Sequence, residues 1–195
     1  MQTITKVYTT YNKAHRAVDE LVNAGVPMSE ISVLGNREVS EQYEEVEDLT
    51  ETGVGAGASL GAVVGGAAGL LAGLGLMAIP GLGPVVAAGW LATTVVGAAA
   101  GGAAGGIVGT LISLGVTEEH ADVYSEAVRR GGTLVSVKAE DHDVAKVQAI
   151  LGKFTPIDPV AQADAYRETG WRAFDPDAGP YESIHSSARR EKRLI

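Results

Sequence analysis

The residues in this chain that could do chemistry are four histidines, His15, His120, His142 and His185, and several groups of acids. A metal ion needs imidazoles or carboxylates at spacings such as HxH or HxxxH, and none of the four histidines has such a neighbour. Glu140-Asp141-His142-Asp143 sets three carboxylates about one imidazole. Acids at the start of a helix complement its dipole, so this cluster reads as a helix cap. Glu38, Glu41, Glu44, Glu45, Glu47, Asp48 and Glu51 lack the turn glycine and ligand spacing of a calcium loop and read as a solvated linker. Cysteine is absent, which removes disulfides, thiolate nucleophiles and Cys-based zinc sites. No G-x-S-x-G or P-loop occurs, because the glycine-rich stretch lacks the Lys-Ser/Thr that handles phosphate. These absences predict no catalytic residue, no metal and no cofactor. A net charge of −9 argues against a phosphate-binding surface, so no nucleic acid partner is expected either.

What the chain does carry is a packing pattern. Residues 52–117 contain no charged side chain. Glycine falls at Gly53, Gly57, Gly61, Gly65, Gly69 and Gly73, a period of four. After the break Ile79-Pro80-Gly81-Leu82-Gly83-Pro84 the period returns at Gly89, Gly97, Gly101, Gly105 and Gly109, with Thr93 and Ser113 in the same series. On an α-helix such residues share one slowly drifting stripe. Two helices joined at the break predict a hairpin whose glycine stripes form a helix-packing interface, a glycine zipper. Glycine costs about 1 kcal/mol relative to alanine in a helix interior. Only close packing, a bilayer, or both could offset so many.

The elements around this stretch follow from periodicity. Residues 3–9 (TITKVYT) predict a strand. Asn12 can cap a helix with Ala14, Ala17, Val18, Leu21 and Val22 on one face, ended by Gly25 and Pro27. Residues 31–34 predict a second strand. Thr117-Glu118-Glu119-His120 opens a helix to Arg130 with a capping-box pattern, and Ala121, Tyr124 and Val128 form its stripe. Gly131-Gly132 ends it. Residues 133–139 then alternate as a strand, with Val135, Val137 and Ala139 on one face. A last helix buries Val144, Val147, Ile150 and Leu151, and Pro156-Ile157 is at most a short fourth strand. The opening MQTITKVYTTYNKAHR has no apolar core of a secretory signal, so no export is expected.

The fold class is therefore α+β: a ferredoxin-like sandwich with an inserted glycine-zipper helical hairpin. Residues 1–36 form its first half, 37–52 an acidic linker, 53–116 the hairpin, 117–160 the second half and 161–195 a tail. Replacing the hairpin with a short linker is expected to leave a folded domain. The tail shows no apolar periodicity, yet holds Trp171, Arg172 and Phe174. Two large aromatics in a polar segment need somewhere to bury, and docking onto a neighbouring subunit is expected.

TITKVYTTYNKAHRAVDELVNAGVPMSEISVLGN resembles the opening β-α-β of the bacterial heat-induced, general-stress protein family. EEHADVYSEAVRRGGTLVSVKAED resembles the helix, Gly-Gly and strand of the same family. A glycine-rich insert between such segments also occurs in related proteins. Lys6 departs from the pattern, in which a small residue is expected. The resemblance implies a stress-associated, non-enzymatic role in a bacterium and supplies no catalytic residues.

Three readings follow. The first is a structural protein that self-associates through zipper hairpins on or in a membrane, at the cytoplasmic side of the inner membrane; its partners are further copies of the chain and a lipid bilayer. Acidic flanks (Glu47, Asp48, Glu51; Glu118, Glu119) oppose this, since cytoplasmic flanks should carry Lys or Arg. The second is a soluble cytoplasmic homo-oligomer or filament with the hairpins buried between subunits. The third is a small-ligand regulatory module.

Overall fold

A computed structural model describes residues 1–36, 75–79, 82–91 and 106–178. It is built on the strand β5 (Thr133–Ala139), whose side chains are buried on both faces apart from partly exposed Lys138. Antiparallel partners flank β5 on either side. On one side lies β1 (Gln2–Tyr8), in register from Gln2 opposite Ala139 to Tyr8 opposite Thr133. On the other lies β2 (Ile31–Asn36), with Ser32 opposite Ser136 and Leu34 opposite Leu134. The sheet continues through β4 (Gly83–Ala88) to β3 (Gly75–Ile79), giving the order β1-β5-β2-β4-β3. The chain is α+β.

Two helices cover one face. α1 (Tyr11–Asn23) is capped by Thr10, not by Asn12: Thr10 has extended backbone and its Oγ1 accepts from the Lys13 N–H. Its buried stripe is Ala14, Ala17, Val18 and Leu21. It packs beside α4 (Val144–Lys153) over Ile4, Tyr8, Ile31, Val33, Val135 and Val137. Lys153 forms an ion pair with Glu20 across these two helices. The opposite face is covered by α2 (Gly106–Ser113) and α3 (Glu118–Arg129). There Val7, Leu34 and Leu134 of the sheet meet Leu111 of α2 and Ala121, Tyr124, Ala127 and Val128 of α3. The described residues thus make three layers, with the sheet in the middle. That arrangement accounts for the burial of β5 on both faces, where Thr133 and Ser136 are covered along with the apolar residues.

The zipper hairpin is corrected at its centre. Around Pro80–Pro84 the chain does not join two helices. Residues 75–88 form a β-hairpin that extends the sheet from β2, with Met77 opposite Val85 and Ala78 opposite Pro84. β2 would otherwise end the sheet with unpaired backbone groups, and β-branched Val85 and Val86 suit a ladder better than a helix. Pro84 lies just beyond the part of β4 that pairs with β2, where its missing N–H costs no bond to that strand. The expected glycine stripe from Gly53 to Gly73, and Gly97, Gly101 and Gly105, lies outside the described residues, as does the acidic segment 37–52.

A second difference lies at the start of the tail. The tail, expected from residue 161 without apolar periodicity, begins inside a helix, α5 (Pro159–Glu168). Asp158 caps it, accepting from the N–H groups of Val160 at 2.9 Å and Ala161 at 3.4 Å, and Pro159 fills the first turn. Only Ala163 and Tyr166 are buried on it, so it carries no apolar stripe to read. Instead of a fourth strand there is a single backbone bond, from the Ile157 N–H to the Val7 carbonyl at 2.7 Å.

Candidate functional site

The expected site residues separate in the structure. Gly89 does not sit on a helical stripe. It has φ +83° in the bend after β4, where an added Cβ would lie 2.4 Å from the Ile31 carbonyl oxygen and 2.5 Å from Ser32 Oγ. Glycine is required there by close approach to β2, not by helix packing. Gly109 is in α2, whose buried residues are Ile107, Thr110 and Leu111. The histidines do not converge. His15 pairs with Asp19 at 2.9 Å, and His120 lies beside the Tyr124 ring with centroids 6.5 Å apart. His185 is outside the described residues. The acids at 140–143 are spent singly: Asp141 binds the Met1 ammonium at 3.1 Å, and Glu140 and Asp143 flank His142. Asp143 precedes α4 without a side-chain cap bond. A hydrogen bond from Lys146 holds its carboxyl below the usual range. Among the described residues no group of His, Asp and Glu is arranged to hold a metal ion.

Two polar arrangements do form. One is a clasp on the outer side of α3. Helical spacing puts Glu119, Asp122, Val123, Glu126 and Arg130 along the flank that α2 and the sheet leave open. Segment 158–178 folds back onto this flank. Glu119 binds Arg167 of α5 at 2.9 Å, and Val123 packs with Ala163, Tyr166 and Trp171. The Trp171 ring meets Tyr166 edge-on at 5.6 Å, and the Arg130 guanidinium lies 4.2 Å from the Tyr166 ring centroid. Glu126 is 1% exposed and is held by Arg129 Nε and Nη2 at 2.8 and 2.7 Å and by Arg130 Nε at 2.6 Å. A buried carboxylate needs such partners. Burial, with Glu118 nearby, raises the Asp122 carboxyl above its ordinary range, while a hydrogen bond from the Phe174 backbone opposes that rise.

The clasp gives the tail aromatics contacts within the chain. Trp171 and Phe174 are partly buried against α3 and the core beneath it, while Arg172 stays exposed. The surface that receives them includes α5, a helix that apolar periodicity does not reveal. The signal was present in Asp158-Pro159, an N-cap followed by a first-turn proline.

The other arrangement is a row of hydroxyls across the sheet. Thr5 and Ser136 share a hydrogen bond at 2.8 Å. Ser32, fully buried, donates to the Ala88 carbonyl at 3.0 Å and accepts from the Leu91 N–H at 2.8 Å. Trp90 closes this end, its Nε1–H on the Glu30 carbonyl at 3.2 Å and the Lys138 ammonium 4.2 Å from its ring centroid. The phenols are similarly engaged. Tyr8 donates to the Leu151 carbonyl at 2.9 Å, and burial raises its pKa, with Tyr124 adding to the effect. Burial, then the charge of Asp158, raises Tyr124. Each of these groups holds one element to another. What they do chemically is cross-brace the sandwich.

Neither the curated proteins nor the solved structures contain a match to this chain. A family model does match, over residues 3–80, which take in β1, α1, β2 and β3 and stop before β4. The second stretch quoted for the resemblance, from Glu118 to Asp141, lies beyond that match. The model is that of the heat induced stress protein YflT domain, so over residues 3–80 the chain is similar to the heat-induced, general-stress protein family, which supports the resemblance read from its opening β-α-β.

Proposed function

We propose that the protein is a non-enzymatic, stress-associated structural protein that self-associates through its glycine-rich run, buried between copies of the chain. The observation that carries this reading is the fate of the run's described parts. Leu82, Leu91, Ile107 and Leu111 are each 0–1% exposed and belong to the layer over the sheet. An uncharged segment anchored at several points in a protein core is placed to bury its remaining small-residue stripe against protein. That favours assembly between subunits over immersion in a bilayer. No helix among the described residues is long and apolar enough to cross a membrane. The buried polar side chains support a non-enzymatic role, because Ser32, Ser136, Tyr8 and Glu126 are bonded within the fold. The core fits a ferredoxin-like unit: its third strand, β5, lies between the first two, and Ile157 touches β1 where a fourth strand would start.

The test is sedimentation of the full chain with and without liposomes. The wild type is expected to run above monomer mass without lipid. Gly65→Leu or Gly101→Leu should lower that mass, since a branched side chain forces helix axes apart. Ala68→Leu, one residue off the stripe, should have a smaller effect. Equal effects at all three positions would sink the zipper, and flotation with liposomes would return the membrane reading to first place.

A further inference from the structure

Among the described residues, the outer edge of β1 is an open ladder. The Val7 carbonyl points away from β5, since it accepts from Ile157. In an antiparallel pair this direction alternates, so the N–H and C=O groups of Thr3 and Thr5 point the same way. Ile157 is the one backbone partner on that edge among the described residues. Pro156 and Pro159 stand on either side of Ile157 and Asp158, and the chain then turns into α5, so it cannot continue a strand along β1. Among the described residues, the four outward groups of Thr3 and Thr5 have no backbone partner. Exposed edges of this kind recruit strands.

We infer that this edge is an interface between two copies of the chain, with β1 pairing antiparallel to β1 of a second copy about a two-fold axis through Ile4. The inference concerns a different surface from the glycine-rich run and does not rest on the reading above. The register is set by what is already occupied. With Ile4 opposite Ile4, Thr3 and Thr5 exchange both backbone bonds with Thr5 and Thr3 of the second copy. The bonded region stops short of Val7, whose carbonyl Ile157 holds.

Charge selects the occupant. In this register Lys6 faces Gln2 of the second copy. Ala139 pairs with Gln2, so Glu140 and Asp141 begin one strand further on, about 5 Å away. Lys6 shares its side of β1 with Ile4 and Tyr8, the side covered by α1 and α4. The turn 140–143 leads into α4 on that same side. The Lys6 ammonium has no ion-pair partner among the described residues. Two-fold pairing carries each Lys6 toward the acidic turn of the other copy. A lysine that only guarded the edge against strands would have no such complement.

The experiment is analytical ultracentrifugation of the full chain as wild type, Thr3→Pro, Lys6→Glu, Glu140→Lys, the Lys6→Glu/Glu140→Lys double variant, and Gly101→Leu. Proline at Thr3 removes an outward N–H and leaves the bonds to β5, so its circular dichroism should match wild type while its assembly falls to half mass. Each single charge reversal should weaken association at least tenfold, and the double variant should restore it. If Thr3→Pro does not fold, the charge variants decide alone. A monomeric wild type, unchanged mass in folded Thr3→Pro, or no rescue by the double variant would overturn the edge interface. Gly101→Leu separates the two surfaces: if it alone dissociates the assembly, the glycine-rich run is the interface and the edge is not.

Discussion

Asp122 shows how one residue can work against the contact it makes. Its carboxylate accepts from the Phe174 backbone and so helps hold the C-terminal segment, yet burial and Glu118 make the ionised form costly. Its pKa is raised in the folded state. The stability linked to its protonation is therefore full below the ordinary carboxylate range and is lost as pH rises through the raised value. At neutral pH the wild type carries that cost. An asparagine oxygen can accept the same hydrogen bond without charge. Asp122→Asn should melt at a higher temperature than wild type at pH 7, and the difference should close as pH falls below the ordinary carboxylate range. Thermal melts of both proteins at several pH values check this, and a melting temperature for Asp122→Asn below wild type at pH 7 would refute it.

At the scale of elements, α5 and the aromatics after it act as one clasp on α3. Truncation after Pro159 removes Tyr166, Trp171 and Phe174 together and bares Val123. The loss should be about 2 kcal/mol, the burial of partly covered aromatics less the entropy of ordering the segment. The structure shifts the expected effect from assembly to the single chain. The truncated protein should melt lower yet sediment at wild-type mass, and a drop in mass with an unchanged melting temperature would restore docking between subunits. The elements that were legible in the sequence are those with strong periodicity: α1, α3, β5 and α4 bury the residues their spacing selects, apart from partly exposed Val22 and Val144. α5 was not, because two buried residues make no stripe. The hairpin of β3 and β4 was hidden by its surroundings. Glycine and alanine at helical period ran up to both of its ends, and the proline-glycine turn served a helical hairpin as well as a β-hairpin. Of the candidate site, the α3 stripe of Ala121, Tyr124 and Val128 was readable from spacing. The Glu126–Arg129–Arg130 group was not, since charges three and four apart ordinarily mark a solvated helix face.

For the whole molecule, the described parts of the insert are built into the sandwich. The sequence suggested that residues 54–115 could be replaced by a short Gly-Ser linker to leave a folded domain. Those residues supply β3, β4, α2 and the fully covered Leu82, Leu91, Ile107 and Leu111. Without them Val7, Leu34 and Leu134 would face water from beneath α3. The replaced protein should keep part of its circular dichroism signal, bind a hydrophobic dye and lose its cooperative melting transition. A soluble variant with a sharp transition and no dye binding would show the sandwich to be independent of its insert.

The central place of β5 has a consequence for how the protein is made. β1 and β2 leave the ribosome first, but they are not neighbours in the sheet; each pairs with β5, and β5 lies beyond the whole uncharged run. During synthesis the glycine-rich segment therefore emerges before the centre of its sheet exists, and its apolar residues have no finished surface to meet. Closure waits for Thr133–Ala139 to clear the exit tunnel. A nascent chain halted at Thr117 should be cut readily by protease along its length, while one halted well past Lys153 should resist.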